Sequence, residues 1–330
     1  MTVTSNSETG KLTGFDVVQS NYKTVDDHGI RADFLIPKVL PKGKRPVIVF
    51  FHGGCLITGD SLFLNWFPQW VFDLSQKHGA VIVSPNHRLL PEATSLEIIE
   101  DVEDFWSWLH STAVMKLMSS HSNPTELDLT RVITSGASAG GLLSICLALL
   151  YPDSIRSATA SYPTVDMASY DVPRAIPAFN PPGFIPESVA KLIEDKTQPG
   201  VVISSDLPLS RVALAMASIE QGKLTEMYER GTEHLPRREV RYPLERLDSP
   251  DAKIPRGGIA ILHGRQDTLV PVEHSEKFVA KVRKAMKGKA GGDKVFLVVR
   301  DGGHGFDNAT KLDEEWLSDL LKGAVGTWLE

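Results

Sequence analysis

The sequence predicts an α/β fold with a mainly parallel central sheet flanked by helices, and three observations carry that prediction. The runs "PVIVFF" (Pro46 to Phe51) and "AVIVSP" (Ala80 to Pro85) are short, β-branched and almost wholly apolar, as strands buried on both faces are. Segments of helical period alternate with such runs, the pattern that puts helices on both faces of a parallel sheet. The stretch "RVITSGASAGGLLSICLALLYP" joins a strand, a glycine-rich turn and an apolar helix in one unit.

In chain order, the polar start "MTVTSNSETGKLTG" lacks the charged head and apolar core of a secretory signal, so residues 1–12 read as a loose tail. "FDVVQSNYKT" and "GIRADFLIP" read as a leading antiparallel pair. A helix is predicted in "WFPQWVFDLSQKHG" and another in "SLEIIEDVEDFWSWLHS", where Ile98, Val102, Phe105 and Leu109 share one face and the acids are expected to face outward. Further strands are expected at "SATASYP", "GIAILHG" (Gly258 to Gly264) and "VFLVVRDGGHG" (Val295 to Gly305), and the last helix contains Trp316 and Leu320.

The alternation breaks once. From Asp171 to about Pro250, "DVPRAIPAFNPPGFIPES" places five prolines where no regular element can form, and short helical patterns follow around "ESVAKLIEDK", "LSRVALAMASIE" and "KLTEMYERG". Long connections inside compact folds are usually functional. Residues 171–250 therefore read as a helical cap inserted before the last strands, over a core made of 13–170 and 251–330.

A formal charge of −6 and the lack of a Lys/Arg run argue against nucleic acid or an anionic membrane as partner. The longest apolar run, "LLSICLALLY" (Leu142 to Tyr151), is about half of a membrane span. A soluble, cytoplasmic protein without stable membrane association is expected, and a homodimer is compatible with these features. Cys55 and Cys146 fall in a loop and a helix interior, which suggests no disulfide, and Cys146 reads as a small buried apolar residue.

The chemistry starts at "GASAG", Gly136 to Gly140. A GxSxG pattern between a strand and a helix lets the backbone take a sharp turn that exposes the Ser138 hydroxyl at the strand's C-terminal end. Serine needs a base held by a third group. Of ten histidines, His304 in "DGGHGF" lies in a glycine-flanked loop just past the last strand, whereas His263 and His87 read as structural. Asp267 in "HGRQDTLVP" follows the preceding strand and can accept from an imidazole; Asp301 and Asp307, close to His304 in sequence, are the alternatives.

Together these segments resemble the hormone-sensitive-lipase-like, HGGG-type carboxylesterases of the α/β-hydrolase superfamily. The resemblance runs from about Pro46 to Asp166 and again from Gly258 to Phe306. "HGGC" (His52 to Cys55) is similar to the family's HGGG, "HRLLPE" to its YRLAPE, and "GASAGG" to its GDSAGG. The helix "EIIEDVEDFWSWL" and the loops "GRQDTLVP" and "DGGHGF" are also family-like. The departures are Cys55 for the last glycine, Ala137 before the serine, His87 for tyrosine, and an acid loop without the common DP start. The resemblance implies the α/β-hydrolase fold and an oxyanion hole of the Gly54, Cys55 and Ala139 amides, with Gly53 shaping the loop and His52 bracing it.

The expected function is serine hydrolysis of a small or medium, moderately apolar carboxylic ester or lactone through an acyl-enzyme on Ser138, with His304 as base and Asp267 orienting it. No metal or cofactor is expected. Phe63, Trp66 and Phe67 after the oxyanion loop, with Phe179, Phe184, Met216 and Met227 in the cap, are the substrate-contact candidates; Trp70 and these residues equally suit packing. The same fold supports lyase, cyclase or acyltransferase chemistry on natural products, or a non-catalytic ligand receptor.

Overall fold

The structure, a computed structural model, describes residues 10–176 and 200–330. The strands are Phe15–Val25 (β1), His28–Pro37 (β2), Arg45–Phe51 (β3), Val81–Pro85 (β4), Leu127–Gly136 (β5), Ser157–Ser161 (β6), Ile259–Gly264 (β7) and Val295–Arg300 (β8). Among the described residues they form one sheet in the order β1-β2-β4-β3-β5-β6-β7-β8. β1 pairs antiparallel with β2, and β2 with β4; every pair from β4–β3 onward to β7–β8 is parallel. The β1–β2 turn, Asp26 and Asp27, has positive φ at both residues, the mirror-image turn that matches the twist of a hairpin.

The expected two-faced sheet is visible along β3. Val47, Val49 and Phe51 join one core, and Ile48 and Phe50 join the other, the period-two alternation of a strand covered on both sides. Helices Ser95–Leu109 (α2), Ala139–Leu150 (α4) and Val272–Ala285 (α9) contribute to the first core, while Gln69–His78 (α1) and Glu315–Leu329 (α10) contribute to the second. Every residue of α4 from Ala139 to Leu149 is buried, which explains its all-round apolar sequence.

Several elements differ from the sequence expectation. The helix expected from Trp66 starts only at Gln69, after Pro68, and Leu64–Trp66 forms a separate 3₁₀ turn. A proline suits the entry to a helix and cannot sit inside it. α2 begins as expected and is fixed by a capping box, in which Thr94 Oγ1 accepts the Glu97 amide and Glu97 accepts the Thr94 amide. Its acids do not all face outward: Asp101 is fully buried, where it pairs with Arg88 and Lys23. Helices Thr112–Ser119 (α3) and α9 were not anticipated.

Between β6 and β7 lie Val212–Glu220 (α5), Leu224–Glu229 (α6), Arg238–Arg241 (α7) and Pro243–Arg246 (α8). α5 and α6 correspond to two of the expected helical patterns. The pattern around "ESVAKLIEDK", with Phe179 and Phe184, lies outside the described residues. No described helix is long and apolar enough to cross a membrane.

Candidate active site

The site assembles at the C-terminal ends of β3, β5, β7 and β8, on loops that the sheet brings side by side. β5 ends at Gly136 and the chain turns into α4 through Ser138, whose φ of 57° and ψ of −120° lie outside the regions an L-residue favours. Three hydrogen bonds hold that conformation. The Ser138 amide donates to Ser161 O at 2.9 Å, and its carbonyl accepts the amides of Leu142 and Thr164 at 3.2 Å each. The final glycine of the motif is there for space, since a Cβ on Gly140 would lie 2.0 Å from the carbonyl oxygen of Phe51. The helix thus starts in direct contact with the end of β3, at the point where strand order reverses and ligand sites form in open α/β sheets.

After β3 the chain enters "HGGC". Gly54 (φ 114°), Cys55 (φ 60°) and Leu56 (φ 61°) are consecutively left-handed, and Gly54 O accepts the amides of Ile57 and Thr58, so the loop turns back on itself. Only glycine fits at Gly54, where a Cβ would meet Thr58 O at 2.0 Å. The amides of Gly54 and Cys55 donate to no acceptor among the described residues. Ala139 opens α4, where the first amides have no intrahelical partner. Gly53 runs against the serine turn, its Cβ position 3.1 Å from Ala137 O. Nδ1 of His52 donates to Gly53 O at 2.7 Å, and its ring stacks on that of His87 at 4.9 Å. Cys55 is among the residues lining the cavity, its side chain packs against the core, and burial pushes its thiol up to about 12. It is a protonated thiol at neutral pH.

From β7, Asp267 brings a buried carboxylate whose Oδ1 accepts the amides of Leu269 and Val270 at 2.9 Å each. Its Oδ2 lies 2.8 Å from Nδ1 of His304, which follows β8. Burial pushes this carboxyl upward, but the hydrogen bonds from His263, His304 and the Val270 amide outweigh it and hold it well below the usual carboxylate range. The two alternative acids are elsewhere. Asp301 is exposed beside Arg265, and Asp307 is buried where it accepts Trp70 Nε1 and Ser161 Oγ. Nε2 of His263 donates to Val270 O at 2.8 Å, which leaves Nδ1 to accept from Ser275 Oγ at 2.7 Å, and Nε2 is 3.5 Å from Asp267.

Ser138 and His304 open on one cavity of about 120 Å³, floored by Gly53, Gly54 and Cys55. Of the candidate contacts, Trp66 and Met216 line it, with Val212, Leu269 and Tyr162 completing the apolar wall. Tyr162 packs on the His304 ring at 4.5 Å. Three candidate contacts belong elsewhere. Phe67 is buried in the core and stacks on Phe50 at 3.8 Å; Phe63 packs edge-on against Trp66 and is outside the cavity lining; Met227 is buried among core residues. Apolar residue type cannot separate a wall from a core. Val212 could have been found, because it lies one helical turn before Met216 on the same face of α5. Among the described residues no group of three or more His, Cys, Asp or Glu is placed to hold a metal ion.

A family model for the alpha/beta hydrolase fold matches residues 48–194. The probable carboxylesterase M8 of Phoma sp. is 32% identical over 90% of this chain and 91% of its own length. Probable carboxylesterase clz11 of Cochliobolus lunatus is 33% identical over 61% of this chain and 92% of its own. Esterase B of Lactobacillus rhamnosis, a solved structure, superposes with a TM-score of 0.63 at 12% identity, covering 98% of this chain and 91% of that one, a likeness of fold.

Proposed function

The chain belongs to the carboxylesterase family of α/β-hydrolases and is a carboxylic ester hydrolase, and from that premise we propose that it works through an acyl-enzyme on Ser138. His304 takes the serine proton as Oγ attacks the ester carbonyl, and Asp267 holds the imidazole by Nδ1 and balances its charge when it becomes imidazolium. The amides of Gly54, Cys55 and Ala139 receive the oxyanion, each donor contributing on the order of 3 kcal/mol to the transition state. The imidazolium then protonates the leaving alcohol, and a water activated by the same histidine releases the acid. The observation that carries this reading is the 2.8 Å contact between His304 Nδ1 and Asp267, with Ser138 held in its strained turn on the same cavity.

The substrate we propose is a small or medium ester or lactone with a compact, moderately apolar acyl group. A cavity of about 120 Å³ is smaller than one of ~150 Å³ that admits benzene. Val212 and Met216 come from the insertion, which supports reading 171–250 as a cap that closes the pocket over a core of 13–170 and 251–330.

The test is a series of nitrophenyl esters from acetate to decanoate, assayed on the parent protein and Ser138→Ala. Turnover should peak at short acyl chains, and Ser138→Ala should lose at least about a thousandfold in kcat. Equal rates for the two proteins would overturn the acyl-enzyme, and a flat response to chain length would overturn the compact pocket.

A further inference from the structure

Among the side chains on the described wall of the Ser138 cavity, Asn308 alone offers an uncommitted carboxamide. Thr58 Oγ1 is spent on Asp206 at 2.6 Å, and Ser138 and His304 have their work in the reaction. Asn308 lies four residues past His304 and is held by its backbone. Its amide donates to Gly305 O at 3.1 Å, and its carbonyl accepts the Gln69 amide at 3.0 Å. The side chain, by contrast, makes no hydrogen bond to any described residue, and its Oδ1 is buried without a partner. The glycine after His304 leaves room for this group, because a Cβ on Gly305 would lie 3.0 Å from Asn308 Nδ2.

Asn308 also stands at a junction. It lines both the apolar Ser138 cavity and a neighbouring cavity of about 660 Å³ whose lining includes Lys11, Asn65, Gln69, Gln76 and Lys311. A fixed polar group left unpaired at a binding site penalises ligands that cannot bond to it, which gives discrimination that apolar contacts do not.

We infer that Asn308 selects esters bearing a hydroxyl near the scissile bond, the hydroxyl exchanging hydrogen bonds with the Asn308 carboxamide on the wall of the Ser138 cavity. This rests on the acyl-enzyme reading above. The hydroxyl belongs to the acyl or to the alcohol part, and the two sources are separable. Nitrophenyl 3-hydroxybutyrate against nitrophenyl butyrate tests the acyl side. For the alcohol side, 2-hydroxyethyl butyrate is compared with propyl butyrate by titrating released acid.

In one arm kcat/KM should favour the hydroxylated ester by about tenfold, a preference that falls toward unity in Asn308→Leu. Asn308→Ser, which keeps a hydrogen-bonding group, should retain part of it, and a thermal melt of each variant verifies folding. A ratio of one or less in both arms on the parent protein overturns the inference and assigns Asn308 to water, with ester hydrolysis intact. A preference that survives in Asn308→Leu also overturns it. A parent inactive on all four esters overturns the hydrolase reading together with this one.

Discussion

Cys55 departs from the glycine usual at its place, and its backbone shows what the departure costs. At φ 60° a Cβ adds about 1–2 kcal/mol over glycine, offset by the roughly 0.5–1 kcal/mol that glycine loses through its freer unfolded chain. Cys55→Gly should therefore raise stability by about 0.5 to 1 kcal/mol in urea denaturation. It also removes a side chain from the cavity floor, so the best acyl chain should lengthen while turnover of the smallest ester is retained. Loss of all turnover would implicate the thiol instead. The sequence motif gave away the position of these amides but not the strain, because the left-handed run from Gly54 to Leu56 depends on the bonds from Ile57 and Thr58 back to Gly54.

At the level of elements, the segment leading into α5 is bolted to the loop after β3. Arg211 donates from Nε to Ile57 O at 2.8 Å and from Nη2 to Leu90 O at 2.6 Å, and its guanidinium pairs with buried Glu92. Asp206 accepts Thr58 Oγ1 as well as the Ser210 and Arg211 amides. The same turn that presents the Gly54 and Cys55 amides is thereby pinned from the insertion. Arg211→Met leaves Glu92 buried without its partner and should cost about 3 kcal/mol in stability, with a fall in kcat larger than any change in KM. Adding Glu92→Gln should recover stability but not kcat; recovery of both would reduce Arg211 to a purely structural residue. None of this clamp was legible in the sequence, since "HRLLPE" and Arg211 are 119 residues apart from Glu92 onward. The same holds for Asp101, which periodicity assigns to solvent while distant Arg88 and Lys23 draw it inside. α9 is a different case: Ser275, Phe278, Val279 and Val282 repeat at helical spacing and were there to be read.

For the molecule as a whole, acid sensitivity follows from the buried His52–His87 stack. Burial lowers both rings, and His87, further opposed by His52 and only partly helped by its bond to Arg88 O, falls to about 3. The folded chain thus refuses a proton that the unfolded chain accepts, so the stability His87 contributes is full above about pH 6.5 and drains as pH falls toward about 3. Between about pH 7 and pH 5 this amounts to about 2 kcal/mol. His87→Phe, which keeps a stacking ring, should flatten the decline in Tm over that range, and an unchanged decline would place the acid sensitivity elsewhere. The architecture was legible because buried parallel strands are almost wholly apolar and β-branched, as β3 and β4 are, and Ser138, Asp267 and His304 because each sits in a marked loop after a strand. The pocket wall was not, because residues such as Leu269 and Tyr162 reach it only through the way the loops pack. That dispersal has a consequence for biosynthesis. Protein chains fold from the N-terminus as they are made, and β5 with its serine emerges well before β7 and β8 supply the carboxylate and the imidazole. On the proposed mechanism a nascent chain therefore carries a nucleophile with no base, and the hydrolase stays silent until the loop after β8 has been added.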